Sequence, residues 1–370
     1  MPYEILDRQA LIARKRPRRE DVRGPYFRDQ TAMIHCTPFR RLKHKTQVFF
    51  APENDHVCTR IEHVLHVATI AATLCRGLAA QGWPMDSELA YAGGLGHDLG
   101  HAPFGHSGER TLSALLGGQC AFQHEIHSLR VVDFLARDGE GLNLTRGVRD
   151  AIICHNGELF EQTLAPEKTP RLPEEKRDKN RLPATWEGCA VRFADKIAYL
   201  GRDLEDALLA GFVTIADVPP DIRAVLGSNN GEIINTLVID LIENSAKSGV
   251  MGFSDEKFAL LTQLRNFNYE HIYGHPRIRR YEAYCDRIIR TLFDHLLAQC
   301  ERDPDEPGLP LDVSFARFLS RMRPAYEREK SGPMRWVADY VAGMTDNYAL
   351  AAMAQITLPE PISFPGMRGD

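Results

Sequence analysis

Apolar residues recur along most of this chain at steps of three and four. In residues 61–81, Ile61, Leu65, Ala68, Ala72 and Cys75 fall near one face, the spacing of an amphipathic helix. The same period predicts helices over 126–137, 146–155, 189–211, 231–248, 255–273, 276–299, 313–322 and 335–342. Strand-like alternation is scarce, and Gln47-Val48-Phe49-Phe50 is its best local candidate. The expected class is all-α, with room for a short β-hairpin. Residues 165–187 set Pro166, Pro170, Pro173 and Pro183 around a charge run from Glu174 to Arg181, and 302–312 are rich in Pro and Asp. Both read as surface loops.

Composition narrows the class without choosing a function. The chain has 370 residues, 44% hydrophobic and 26% charged, which is ordinary for a globular protein of one large domain or two. A net charge of -5 and a pI near 6.3 argue against a dedicated polyanion binder. Only Arg14-Lys15-Arg16-Pro17-Arg18-Arg19 forms a basic stretch. It could meet nucleic-acid phosphates, but a solvated, oligomer-contacting arm fits the acidic balance better. Met1-Pro2-Tyr3-Glu4-Ile5 lacks the apolar core of a signal peptide, and no apolar run reaches membrane-spanning length. Eight scattered cysteines (Cys36, Cys58, Cys75, Cys120, Cys154, Cys189, Cys285 and Cys300) include no C-x-x-C pair. Free thiols and a cytoplasmic location without membrane contact are expected.

The densest chemistry lies in Leu95-Gly96-His97-Asp98-Leu99-Gly100-His101-Ala102-Pro103-Phe104-Gly105-His106-Ser107-Gly108-Glu109. Imidazole and carboxylate both ligate Mn²⁺, Fe²⁺ or Zn²⁺. A cation held by them polarises a phosphoryl oxygen and acidifies water. Pro103 interrupts any regular helix, so the segment reads as a helix end running into a shaped loop. Upstream, Arg60, His63 and Val67 share one helical face, and a cation one turn before a metal-binding imidazole suits a phosphate on that metal. Downstream, Asp195, Tyr199 and Asp203 stand at i, i+4 and i+8 of one helix. A metal for Asp195 and a hydroxylated ligand for the other two would satisfy these groups if buried; taken alone, the spacing suits a structural network or a solvated helix face slightly better.

The order His63 … His97-Asp98 … Asp195, with Phe39–Phe49, His124–Val131, Ala194–Asp206 and Ala342–Ala349 around it, resembles the HD-domain metal-dependent phosphohydrolases. The closest likeness is to their deoxyguanosinetriphosphate triphosphohydrolase (dGTPase) family. That resemblance implies a helical bundle core over 58–212, interrupted by the insertion at 165–187. A helical N-terminal segment, 1–57, would precede it, and C-terminal helices, 213–370, would pack on it. It implies one divalent metal (Mn, Mg, Fe, Co or Zn) held by His63, His97, Asp98 and Asp195. His106, Glu109 and His124 would be catalytic, and Arg60 and His101 would approach the phosphates. Tyr199 and Asp203 would lie against the deoxyribose near its 3′-hydroxyl, and Lys196 would serve the polyphosphate or face solvent. The family commonly reads His-Asn-x-Gln-Ser where this chain has His124-Glu125-Ile126-His127-Ser128, which bears on base or sugar preference more than on the reaction. His66 replaces a common acidic residue and reads as a structural histidine.

The implied reaction is metal-dependent hydrolysis of a dNTP to deoxynucleoside and tripolyphosphate, with dGTP a candidate substrate. His106 is the candidate proton donor, tuned or relayed by Glu109 and His124. A homo-oligomer and a nucleotide activator are also compatible with the family. The rivals are another HD phosphohydrolase (a 5′-nucleotidase or phosphodiesterase) and a non-catalytic nucleotide sensor or nucleic-acid-binding regulator.

Overall fold

The computed structural model describes residues 7–19, 21–50, 56–117, 122–155, 160–169, 171, 174, 181–301 and 308–359. Helices α1 (Arg8–Ile12), α2 (Gly24–Ile34) and α3 (Thr37–Arg41) precede the long α4 (Arg60–Ala79). Then follow α5 (Ser87–Gly96), α6 (Gly105–Leu115), α7 (His124–Arg130), α8 (Ala136–Gly139), α9 (Arg146–Cys154) and the central α10 (Trp186–Leu209). The C-terminal part holds α11 (Pro220–Val225), α12 (Asn230–Ser248), α13 (Asp255–Asn268), α14 (Pro276–Gln299), α15 (Pro310–Glu329), α16 (Pro333–Ala342) and α17 (Asp346–Thr357). The class is all-α.

Helix α4 starts at a Thr59–Glu62 cap: Thr59 N donates to Glu62 Oε2 at 2.8 Å, and the Thr59 hydroxyl donates to the same oxygen at 3.1 Å. Its buried face, including Val64, Val67, Ala68, Ala71 and Leu74, packs on α5 and α10. A Cβ on Gly94 would stand 2.5 Å from Ala68 Cα, so only glycine lets α5 come this close to α4. Helix α10 begins with Thr185, whose hydroxyl accepts from Gly188 N at 3.0 Å. It then buries Phe193, Ala194, Ile197 and Leu200 against α4, α5, α9 and α12. Full burial of each large apolar side chain contributes roughly 1.5–3 kcal/mol, so this stripe, rather than the cap, holds the central helix in place.

Several boundaries differ from the sequence period. The helix expected over 126–137 changes to a π turn at Val131–Leu135 and breaks where Arg137 and Asp138 take φ of 57° and 53°. The segment expected over 313–322 extends through Pro310–Glu329, because Met322, Ala325 and Tyr326 continue the buried face past Pro324. Gln47–Phe50 forms no strand. Phe49 instead packs edge-on against Phe212 at 5.2 Å, and only Thr46 bridges to Thr59. The two-stranded sheet among the described residues is not a local hairpin: β1 (Thr163–Leu164) pairs antiparallel with the distant β2 (Met251–Gly252). The loop expected over 165–187 yields at its end to the first turn of α10, and 302–312 yields to α15 from Pro310. The basic stretch is also less free than expected, since Arg14 Nη1 meets Asp29 Oδ1 at 2.5 Å and Lys15 Nζ meets Asp133 at 2.8 Å. Seven cysteines are unpaired thiols; Cys120 lies outside the described residues. Among the described residues no helix is long and apolar enough to cross a membrane.

Candidate metal centre and active-site cavity

Three helices bring the expected ligands together. Helix α4 presents Arg60 and His63 in its first turn, α5 ends at Gly96 so that His97 and Asp98 occupy the following turn, and α10 contributes Asp195 from its middle. His63 Nε2 lies 3.0 Å from Asp195 Oδ1 and 3.3 Å from His97 Nε2. Asp98 is within 3.7 Å of His97 Nε2 and 4.0 Å of His63 Nε2. His97 Nδ1 donates to Gly94 O at 2.7 Å, which leaves its Nε2 a bare lone pair facing His63 Nε2. Two imidazole nitrogens and carboxylate oxygens converging in this way fit a divalent cation.

The electrostatics favour the ligating forms. Burial alone would raise the Asp98 carboxyl, but Arg60, then His97, His101 and His124, hold it well below the usual carboxylate range. Asp195 is likewise held low against burial, by its bond to His63 and the charges of His63 and His97. Burial lowers the His97 imidazole, which favours its neutral form.

A second cluster stands beside the first. The loop from Leu99 to Phe104 leads into α6, whose first turns carry His106 and Glu109. Glu109 Oε2 lies 3.1 Å from His106 Nδ1 and 3.0 Å from His124 Nδ1, and Glu109 Oε1 accepts from His124 N at 2.9 Å. His124 Nε2 faces His155 Nε2 at 3.2 Å, while His155 Nδ1 donates to Ile152 O at 2.6 Å. His155 is thereby the acceptor and His124 the donor on both nitrogens. Burial opposes the charge on His124, yet Glu109 raises its pKa to about 10; burial lowers His155 to about 4. Glu109, His124 and His155 thus form a carboxylate–imidazolium–imidazole chain. His106 stands apart, its side chain 63% exposed toward the cavity while Glu109 is 14% exposed.

Sequence reasoning missed His155. Its only signal was a histidine closing the amphipathic α9. The structure also sets Glu125 and His127 behind His124, neither of them lining the cavity. Glu125 Oε2 is 3.6 Å from His124 Nδ1, and His127 packs on Phe122 with ring centroids 4.7 Å apart.

A cavity of about 450 Å³ joins both clusters to a set of aromatic side chains. Tyr199 and Asp203 line it as the helical spacing predicts, with Tyr269, Tyr273, Ile278 and Tyr281 alongside. The Tyr273 hydroxyl donates to Asp203 Oδ2 at 2.5 Å, and burial pushes the Asp203 carboxyl up to about 7 against that bond. Tyr269 and Tyr273 escaped the sequence reading because they lie on a π turn, which breaks the helical period, and Tyr281 because it comes from the distant α14. Arg60 Nε, His101 Nδ1 and Gln47 Oε1 are buried at this cavity without a protein partner, so its walls are built for a polar ligand. Lys196 departs from expectation. Its ammonium meets Glu161 Oε2 at 2.5 Å and it does not line the cavity, because Glu161 and Arg192 form a buried charge group at its side of α10. His66 also lies off the cavity.

Distant chain segments fix the loop. Gly100 N donates to Ser128 Oγ at 2.9 Å, and a Cβ there would stand 2.1 Å from Ser128 N, so glycine lets the loop press on α7. Lys45 Nζ donates to His101 O at 2.5 Å and Ala342 O at 2.8 Å. Asp346, at the start of α17, accepts from Thr46 N and Phe104 N, each at 2.8 Å.

Comparison with known proteins agrees with this arrangement. Residues 60–217 match the HD domain, and residues 251–355 match the phosphohydrolase-associated domain. A deoxyguanosinetriphosphate triphosphohydrolase-like protein of Caldanaerobacter subterraneus subsp. tengcongensis is 37% identical over 360 residues, covering 97% of this chain and 93% of the relative. Proteins of the same description from Desulfatibacillum aliphaticivorans and Clostridium tetani are 35% and 32% identical, covering 94% and 93% of this chain and 92% and 89% of their own lengths. An HD-type centre for a divalent metal, the buried His and Asp donors around it and relatives matched almost end to end give one conclusion: the chain belongs to the HD-domain phosphohydrolases, in the deoxyguanosinetriphosphate triphosphohydrolase-like family.

Proposed function

We propose that this protein hydrolyses a dNTP to deoxynucleoside and inorganic tripolyphosphate. The observation that carries the reading is that His63, Asp98 and Asp195 of the four-donor centre, the exposed His106 and the Tyr199–Asp203 face open into one cavity. His63, His97, Asp98 and Asp195 would hold one divalent ion, which supplies Lewis acidity for phosphoryl transfer. Residues 58–212 form the catalytic core in this reading, and 213–370 complete its cavity through the tyrosines and Asp346.

Arg60 and His101 face the phosphates, where their unpartnered buried nitrogens find acceptors. Water attacks the α-phosphorus and gives up a proton to solvent, the bond to the 5′-oxygen breaks, and that oxygen takes a proton from His106, which the exposed imidazole regains from solvent. Glu109 orients His106 through Nδ1, leaving Nε2 for the transfer. The charged His124 is a fixed positive partner for Glu109 rather than the mobile acid, since a group titrating near 10 gives up its proton reluctantly at neutral pH. Tyr199 packs under the sugar and Asp203 accepts from the 3′-hydroxyl. The aromatic cavity, about 450 Å³, suits a single nucleoside rather than a strand, which favours this reading over a nucleic-acid-binding regulator.

Product analysis with each dNTP and several divalent metals tests the proposal. Tripolyphosphate with free deoxynucleoside is expected. Pyrophosphate with a monophosphate, or orthophosphate with a diphosphate, would overturn it. The base preferred, including dGTP, is read from the same series.

A further inference from the structure

The cavity is short of positive charge for the substrate proposed above. Five acidic side chains face it against Arg60, Arg110 and the charged His124, which is bound to Glu109. Arg60 is 1% exposed and its Nη1 is committed to Asp98, so it can offer a phosphate only the rest of its fork without leaving a buried carboxylate unpaired. Lys45 and Lys196, both close by in sequence to site residues, are held by carbonyl oxygens and by Glu161. A divalent ion offsets only part of the charge of a triphosphate chain.

Arg110 is placed to make up the difference. It follows Glu109 directly and stands one helical turn beyond His106, on the helix that carries the proton-transfer residues. Its guanidinium pairs with Glu282 of α14 at the cavity wall, with side chains 58% and 35% exposed. A pair this open to water contributes little and is exchanged at small cost. A guanidinium fork on phosphate oxygens makes stronger, charge-assisted bonds. Releasing Arg110 need not unclasp the wall, because Ser107 Oγ donates to Glu282 O at 3.4 Å and Thr111 Oγ1 donates to Asp286 Oδ1 at 2.9 Å.

We propose that Arg110 grips the terminal phosphates of the substrate, exchanging Glu282 for them, and so selects a triphosphate over a shorter phosphate chain. The inference rests on the dNTP triphosphohydrolase reading. Calorimetric titration of the metal-loaded full chain with inorganic tripolyphosphate, and separately with orthophosphate, tests it. Arg110→Ala should weaken tripolyphosphate binding roughly 10- to 100-fold, the range for charge-assisted hydrogen bonds, and raise KM for the dNTP in parallel. Orthophosphate affinity should change less than about twofold, because one phosphate does not reach Arg110. Arg110→Lys should recover part of the loss, and Glu282→Gln should tighten tripolyphosphate binding. Those two variants decide the question if Arg110→Ala does not fold. Tripolyphosphate binding unchanged in Arg110→Ala, or an equal loss for orthophosphate, would overturn the clamp. If wild type releases tripolyphosphate yet Arg110 is indifferent, the clamp alone fails. If wild type releases none from any dNTP, the hydrolase reading fails and takes the clamp with it.

Discussion

His106 and Asp195 reach the same cavity with opposite duties. In the proposed reading Asp195 is a metal donor, and it lies 3.0 Å from His63 Nε2, whereas His106 has Glu109 as its hydrogen-bond partner. Asp195→Ala should therefore lose bound metal while the fold persists, and His106→Ala should keep its metal while kcat falls by roughly 10²–10⁴. Metal analysis beside single-turnover kinetics separates the two, and a His106→Ala protein with wild-type kcat would remove the proton-transfer role. In the proposed reading Asp203 would govern the sugar in the same residue-by-residue way. A tyrosine against the ribose leaves little space for a 2′-hydroxyl, and Asp203 offers an acceptor to the 3′-hydroxyl. A dNTP should thus be hydrolysed in preference to the matching NTP, and a 2′,3′-dideoxy analogue should be poorer. Measured as kcat/KM, the gap between the dNTP and its dideoxy analogue should close in Asp203→Ala; equal values for all three substrates in wild type would sink the sugar assignment.

At the level of elements, legibility followed the regularity of the period. Helices α4, α10, α12 and α14 carry long apolar faces, and the sequence spacing places them within a few residues. Of helix α5 only the end was legible, because Gly93, Gly94 and Gly96 stand where apolar residues would mark its face, yet these glycines let it pack closely, Gly94 against α4. His63, His97, Asp98 and Asp195 were readable because each sits in a local motif with its own chemistry. His155 and the tyrosines were not, since their roles arise from contacts between elements distant in the chain. The junction of α5 with α10 gives a pH-dependent example. Glu187, in the first turn of α10, accepts from Asp86 N at 2.7 Å, and burial pushes its carboxyl up to about 7 from an ordinary 4.5. The native state then binds more protons than the unfolded chain between these values. The stability Glu187 contributes is complete below about pH 4.5 and is lost as the pH rises through about 7. Glu187→Gln keeps the acceptor but cannot ionise, so Tm should fall less between pH 5 and 8 than in wild type, by the logic of proton linkage. Parallel Tm curves for the two proteins would show that Glu187 does not contribute to the slope.

Across the whole molecule, the active site depends on segments that do not line it. Asp346 is the clearest case, one carboxylate accepting from Thr46 N and Phe104 N, residues 300 and 242 positions away. Asn at this position offers one acceptor where two backbone donors need two. Asp346→Asn should cost about 1–3 kcal/mol in stability, the penalty of a buried unsatisfied group. It should also lower kcat, since Phe104 immediately precedes the helix that carries His106 and Glu109. Denaturant unfolding and steady-state kinetics together check this, and full activity at reduced stability would show that the loop holds its shape unaided. The same bond orders events during synthesis. After the ribosome has added Phe104 it must add 242 more residues before the loop's anchor exists. At 5–20 residues per second that delay is roughly 10–50 s. Throughout it, the nascent chain already carries His63, His97 and Asp98 but lacks the support for the proton-transfer loop. If the proposed function holds, a growing polypeptide would complete the support of its site only once translation has reached the start of the last described helix.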